Sequence, residues 1–85
     1  MGNQIIVYSA DWCGDCRRTK RFLEEHQIAY ENVDIEQNPE AVEIVKGINN
    51  GNRSVPTILF PDGTILVEPS NAQLAEKLGI SFGNN

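Results

Sequence analysis

Scarcity is what first orients this sequence. Its 85 residues include two cysteines, one tryptophan, one histidine and one methionine. Two thiols cannot build the multi-bridge disulfide framework of small secreted domains. One histidine beside two cysteines leaves a tetrahedral zinc site short of ligands within one chain, since such sites take about four. Basic residues are also few: seven Lys and Arg stand against twelve Asp and Glu, for a net charge of −5. That balance argues against a nucleic-acid partner, whose phosphates need clustered cations. Long apolar runs are missing. The longest, Ile5 to Tyr8, falls far short of the ~18 residues of a membrane-spanning helix. The N-terminus has no cationic segment leading into an apolar one, so no secretory signal is expected and a cytoplasmic location is. Repeats, linkers and low-complexity stretches are absent as well. The length predicts one domain over 1–85, able to bury roughly 60–65% of its extended-chain surface.

What the sequence does have is concentrated near its start. Cys13 and Cys16 form a Cys-Gly-Asp-Cys stretch, with Trp12 before it and Arg17-Arg18 after it. Upstream, Gln4 to Ser9 is short, β-branched and aromatic without polar alternation, the pattern of a buried strand. Downstream a helix opens at Cys13 or Gly14, its inner side carrying Cys16, Thr19, Phe22, Leu23 and His26. Ile28 to Ile35 alternates as a second strand. Asn38 before Pro39 is a helix start, with Asn38 as cap, and Ala41, Val42, Ile44, Val45 and Ile48 recur at helical spacing. After a turn at residues 49–52, Pro56 to Phe60 and Thr64 to Val67 flank Pro61-Asp62-Gly63 as an antiparallel hairpin. Ser70 with Gln73 forms a capping box for a last helix, whose core face is Leu74 and Leu78 and whose end is Gly79. The tail Phe82 to Asn85 is expected to fray. The order is βαβαββα, an α/β chain with a parallel crossover followed by a hairpin.

A Cys-x-x-Cys at a strand-to-helix turn is where thiol–disulfide chemistry gains from the helix N-terminus. The thiolate is the reactive form, and unpartnered backbone N–H groups in the first turn stabilise it. Cys13 lies at that terminus, and Cys16 is shielded almost one turn further on. Cys13 is therefore expected to attack and Cys16 to resolve. Asp15 between them should oppose ionisation of Cys13, while Arg17, Arg18 or Lys20 offset it. Exposed Trp12 is expected to contact substrate, and Tyr8 to sit in or beside the core.

Metal binding is the competing reading. His26 lies about 15 Å along the helix from Cys16 and is read as a partly buried helix-end residue. A metal or cluster would therefore need a second chain, as in a dimer sharing zinc or an iron–sulfur cluster. A non-catalytic adaptor with a shape-switching disulfide is a third possibility. Before Thr57, the Val55-Pro56 bond is read from these residues alone as an ordinary trans bond at a strand start.

Taken together, Trp12-Cys13-Gly14-Asp15-Cys16-Arg17-Arg18, Val33-Asp34-Ile35-Glu36, Gly51-Asn52-Arg53-Ser54-Val55-Pro56-Thr57 and Pro61-Asp62-Gly63 resemble the glutaredoxin branch of the thioredoxin superfamily. The likeness covers about residues 4 to 79. It is strongest to the mycoredoxins, through Asn50-Gly51-Asn52-Arg53 before Val55-Pro56 and Glu68-Pro69-Ser70 before the last helix. The resemblance implies a thioredoxin-like fold, a four-stranded mixed sheet flanked by three helices. It implies a cis Pro56 against the cysteine pair and a Val55 whose backbone receives the cysteine part of a small thiol. It also implies substrate contacts from Arg53, Ser70 and Asn71. The expected activity is thiol–disulfide exchange on protein disulfides or protein–small-thiol mixed disulfides. A low-molecular-weight thiol, mycothiol or glutathione, would be co-substrate, with no bound cofactor or metal and a monomeric chain. Glu68-Pro69-Ser70-Asn71 replaces the Gly-Gly and acidic pair common in glutaredoxins, and Gly14-Asp15 replaces Pro-Tyr. Both departures favour a thiol other than glutathione. Trp12-Cys13-Gly14 is also similar to the thioredoxin motif, which keeps a general disulfide reductase as an alternative.

Overall fold

A computed structural model describes residues 4–80. The expected tail at 82–85 lies outside the described residues. β1 (Ile5–Ser9) leads into α1 (Gly14–Glu25), followed by β2 (Tyr30–Asp34) and α2 (Pro39–Ile48). The hairpin β3 (Thr57–Leu59) and β4 (Ile65–Val67) precedes α3 (Asn71–Leu78). The sheet order is β2-β1-β3-β4, with β1 parallel to β2 and the other pairs antiparallel. The expected mixed sheet and its three helices are therefore present.

β1 is central and apolar on both faces for a physical reason. Successive strand side chains point to opposite faces, and both faces are covered. Ile5 and Val7 join Phe22, Leu23, Ile58, Phe60, Leu74 and Ala75. Ile6 and Tyr8 turn to the other side, where Tyr8 is buried with Ala10, Cys13, Cys16, Ile35, Ala41, Val45 and Val55. The cysteine pair thus belongs to the core on the α2 face, at the end of β1.

Several local expectations are refined. The second strand is shorter than Ile28 to Ile35, because Ile28 is spent closing α1: its N–H reaches the Leu23 carbonyl at 2.8 Å. Asn38 precedes α2, and Pro39 opens it, but Asn38 makes no side-chain cap. Its amide instead donates to the Asp34 carbonyl at 2.9 Å and closes the β2–α2 turn. His26 is exposed rather than partly buried: it is the C-cap residue of α1, and its ring lies against Phe22 with centroids 4.4 Å apart. At α3 both halves of the capping box are formed, and Gly79 takes the left-handed conformation (φ 71°) that a side chain would disfavour. The Val55–Pro56 bond is cis, against the reading from local residues alone and in line with the family resemblance. X-Pro isomers differ by only about 0.5–1 kcal/mol, so tertiary context decides between them.

Two structural groups carry predictions. Thr19 is fully buried on α1, and its hydroxyl has no hydrogen-bond partner among the described residues. Thr19→Val keeps the shape and removes the desolvated hydroxyl. It should raise stability by about 1 kcal/mol in urea unfolding, and a loss of stability would contradict this. Tyr30 has its pKa pushed up to about 12 by burial and by its hydrogen bond to Glu24. The unfolded phenol ionises near the ordinary value of 10.0. Between those limits the folded state holds the extra proton, so stability should fall as pH rises from about 10 to about 12. Tyr30→Phe should flatten that loss, as read by unfolding midpoints across the range.

Candidate active site

Cys13 occupies the N-cap of α1 with extended backbone angles (φ −90°, ψ 109°). Its own N–H donates to the Ala10 carbonyl at 3.1 Å, which turns the chain sharply out of β1. Its Sγ accepts the Cys16 N–H at 3.0 Å. The sulfur therefore takes the place that a Ser or Asp oxygen takes in an ordinary N-cap. Charge building on that sulfur meets an aimed backbone donor and the positive end of the helix. Cys16, one turn on, is fully buried, whereas Cys13 keeps 6% of its surface. The two are joined as a disulfide, with Cα atoms 5.2 Å apart. The structure thus presents the oxidised state of the pair, with the less completely buried residue being the one at the helix end.

The opposite wall is the loop before β3. Cys13 Sγ lies 3.8 Å from the Val55 carbonyl oxygen, and Pro56 is fully buried beside that contact. The loop is held from beneath. Thr57 donates its hydroxyl to the Ser54 carbonyl at 2.7 Å, and Asn49 donates to the same hydroxyl at 3.2 Å and to the Val45 carbonyl at 2.9 Å. Buried Thr57 thus ties the C-terminus of α2 to the strand that delivers Val55.

Charged groups surround the pair unevenly. Asp15 is exposed and lies 3.7 Å from the Arg18 guanidinium. Arg18 also donates to Asn71 Oδ1 at 2.6 Å and to the Pro69 carbonyl at 3.0 Å, fastening α1 to the start of α3. Arg17 folds back to the Asp11 carbonyl at 2.6 Å. Trp12 is 65% exposed, and its indole N–H donates to Glu36 Oε2 at 2.9 Å. Arg53 approaches the same carboxylate oxygen at 3.7 Å. Ser70 spends its hydroxyl and its N–H on the capping box with Gln73.

Of the residues expected at the site, Cys13 and Cys16 form the disulfide and Val55, followed by buried Pro56, meets Cys13, while Trp12, Asp15 and Arg17 flank the pair in sequence with side chains engaged by Glu36, Arg18 and Asp11. Arg53 is reached through Glu36 and Asn71 through Arg18, while Ser70 is engaged with Gln73. Reasoning from sequence passed over Glu36 and singled out Arg18 only as one of a basic group. The signal available was Glu36 closing the Val33–Glu36 segment, but nothing local linked it to Trp12. Among the described residues no three His, Cys, Asp or Glu side chains gather to hold a metal.

Fold and site together define a thioredoxin-fold protein with an N-capping redox cysteine. The chain belongs to the glutaredoxin family, whose profile matches residues 5–65. It is 46% identical over 74 residues to a Mycobacterium tuberculosis protein named as a glutaredoxin, covering 87% of this chain and 88% of that one. Mycoredoxin 1 of Corynebacterium glutamicum is 37% identical over 76 residues, covering 89% and 94%. Among solved structures, the glutaredoxin of Methanosarcina mazei superposes with a TM-score of 0.76 at 26% identity, covering 93% of this chain and 81% of that one.

The contact between Asp15 and Arg18 fixes how the site should titrate. Asp15→Asn should make the Cys13 thiolate form at lower pH, and Arg18→Gln, which frees the carboxylate, should shift it to higher pH. Titration of thiolate ultraviolet absorbance in the reduced protein checks both. Shifts in the same direction would rule out the pairing as the cause.

Proposed function

We propose that the chain is a thiol–disulfide oxidoreductase that reduces protein disulfides or protein–small-thiol mixed disulfides, with Cys13 as nucleophile and Cys16 as resolving thiol. The observation that carries this is the Cys13 sulfur at the α1 N-cap, accepting the Cys16 N–H at 3.0 Å and joined to Cys16 in a disulfide. Membership of the glutaredoxin family supports the same class of reaction.

The cycle starts by reduction of the Cys13–Cys16 disulfide by two small thiols, which leave as their own disulfide. The Cys13 thiolate then attacks the small-thiol sulfur of a mixed disulfide. A Cys13–small-thiol bond forms, and the protein sulfur departs as a thiolate. A second small thiol attacks that bond, releasing a small-molecule disulfide and restoring the Cys13 thiolate. On a disulfide within a target protein, Cys16 instead attacks the Cys13–target bond and remakes the Cys13–Cys16 disulfide. In both routes the attacking sulfur loses a proton and the leaving sulfur gains one.

The small thiol is mycothiol or glutathione by family likeness, with 37% identity to a mycoredoxin supporting the first. Its cysteine portion would lie along Val55, flanked by Trp12, Arg53, Ser70 and Asn71. No cofactor is invoked, and the working unit is one cytoplasmic chain. Cys13→Ser should abolish reduction of both substrate types in a coupled assay. Cys16→Ser should retain reduction of mixed disulfides and lose that of intramolecular protein disulfides. Loss of both in Cys16→Ser would show a two-cysteine, thioredoxin-like route instead. A reduced, metal-loaded dimer on anaerobic purification would favour the cluster- or zinc-binding alternative.

A further inference from the structure

The turn after β2, the first turns of α2 and Arg53 of the loop before β3 line an open hollow of about 310 Å³. It is lined by Ile35, Glu36, Pro39, Val42, Glu43 and Arg53. Its link to the redox pair runs through Glu36, whose carboxylate accepts the indole N–H of Trp12, the residue before Cys13. Arg53 is the one cation among these lining residues, against two carboxylates. Glu36 Oε2 stands 3.7 Å from the Arg53 guanidinium and accepts the Trp12 indole N–H at 2.9 Å. The backbone of Glu36 is itself held, its N–H donating to Asp34 Oδ1 at 2.8 Å. Asn38 braces the same turn through the Asp34 carbonyl.

We infer that Glu36 is a specificity-determining residue for the small thiol: it occupies Arg53 with the chain's own carboxylate, so the hollow takes a thiol whose tail is uncharged there and disfavours one ending in a carboxylate. This rests on the oxidoreductase reading above and names the substrate class of that same site. A ligand carboxylate reaching Arg53 must displace Glu36, and in doing so it breaks the Trp12 contact. Glu43 on the same wall adds a second repelling charge. A hydroxyl or amide tail needs no displacement, because it can hydrogen-bond to Glu36 and Arg53 together. The pair is solvent-exposed, with side chains 54% and 45% accessible, so the selectivity is that of one exposed charge contact, about three- to fivefold.

Glutathione and its glycyl monoethyl ester test this, since they differ in that one carboxylate far from the sulfur. In a Cys16→Ser background, the Cys13 thiolate attacks the symmetric disulfide of either compound. It forms a Cys13 mixed disulfide and releases one thiolate, and mass spectrometry gives the equilibrium fraction. The ester adduct should be favoured about three- to fivefold over the glutathione adduct. Glu36→Gln keeps an acceptor for Trp12 and removes the charge. It should reduce that preference to the part that Glu43 leaves, by raising the glutathione adduct while the ester adduct stays unchanged. Arg53→Gln should keep the preference for the ester or enlarge it. An ester-to-glutathione ratio left unchanged by Glu36→Gln would overturn the inference, whatever the turnover. If the ratio responds as expected but neither thiol supports turnover in the protein with both cysteines, the selectivity stands and the oxidoreductase reading fails. A Cys13 that forms neither adduct overturns both.

Discussion

The hydrogen bond from the Cys16 N–H to Cys13 Sγ, at 3.0 Å, organises this end of the molecule. It makes a sulfur the cap of α1, so the residue that ends the turn also carries one half of the disulfide. A helix leaves its first N–H groups without internal partners, and they must be met by something. Here one is met by an atom whose reactive form is an anion. The donor that completes the helix is therefore also aimed at the sulfur on which such a charge would build. Cys16 is buried as part of the same arrangement, because its place one turn along α1 points it into the α2-side core.

That geometry depends on layers far from it in sequence. β1 must be covered on both faces for the turn at its end to be rigid, and α1 and α3 on one side and α2 on the other provide this. The crossover from β1 to β2 and the antiparallel return of β3 place Val55 opposite Cys13. Thr57, Asn49 and Ser54 then hold the loop at that distance. The wall opposite Cys13 is thus supported by part-buried side-chain hydrogen bonds from Asn49 and Thr57.

Around the pair, two arginines are engaged by the protein itself. Arg18 joins Asp15 of the Cys-Gly-Asp-Cys stretch to the start of α3, and Glu36 joins Arg53 to Trp12. Both contacts are at the surface, where single ion pairs contribute little to stability. Their consequence is positional: one fastens α1 to the start of α3, and the other fastens Trp12 and the loop before β3 to the turn after β2.

Much of the fold was legible in local pattern. The apolar run of β1, Pro39 at a helix start, the Ser70–Gln73 capping box and Gly79 each state a conformation through short-range sterics and hydrogen bonding, and each appears as read. The Cys13–Cys16 spacing at a strand-to-helix turn likewise marked the pair that the structure joins as a disulfide. What local pattern could not declare depends on groups brought together from distant positions. Asn38 had two acceptable partners, and the turn offered it the Asp34 carbonyl. His26 fell on the inner stripe of α1 but beyond the sheet's cover, so it is exposed. The cis Val55–Pro56 bond turns on tertiary context, and the contact of Val55 with Cys13 and the bridging of Trp12 and Arg53 by Glu36 join residues far apart in sequence. Which elements form, and which sulfur sits at the helix end, were written in the order of residues, because caps, turns and periodicity act over a few positions. What faces that sulfur was settled by folding alone, because it follows from strand order and packing.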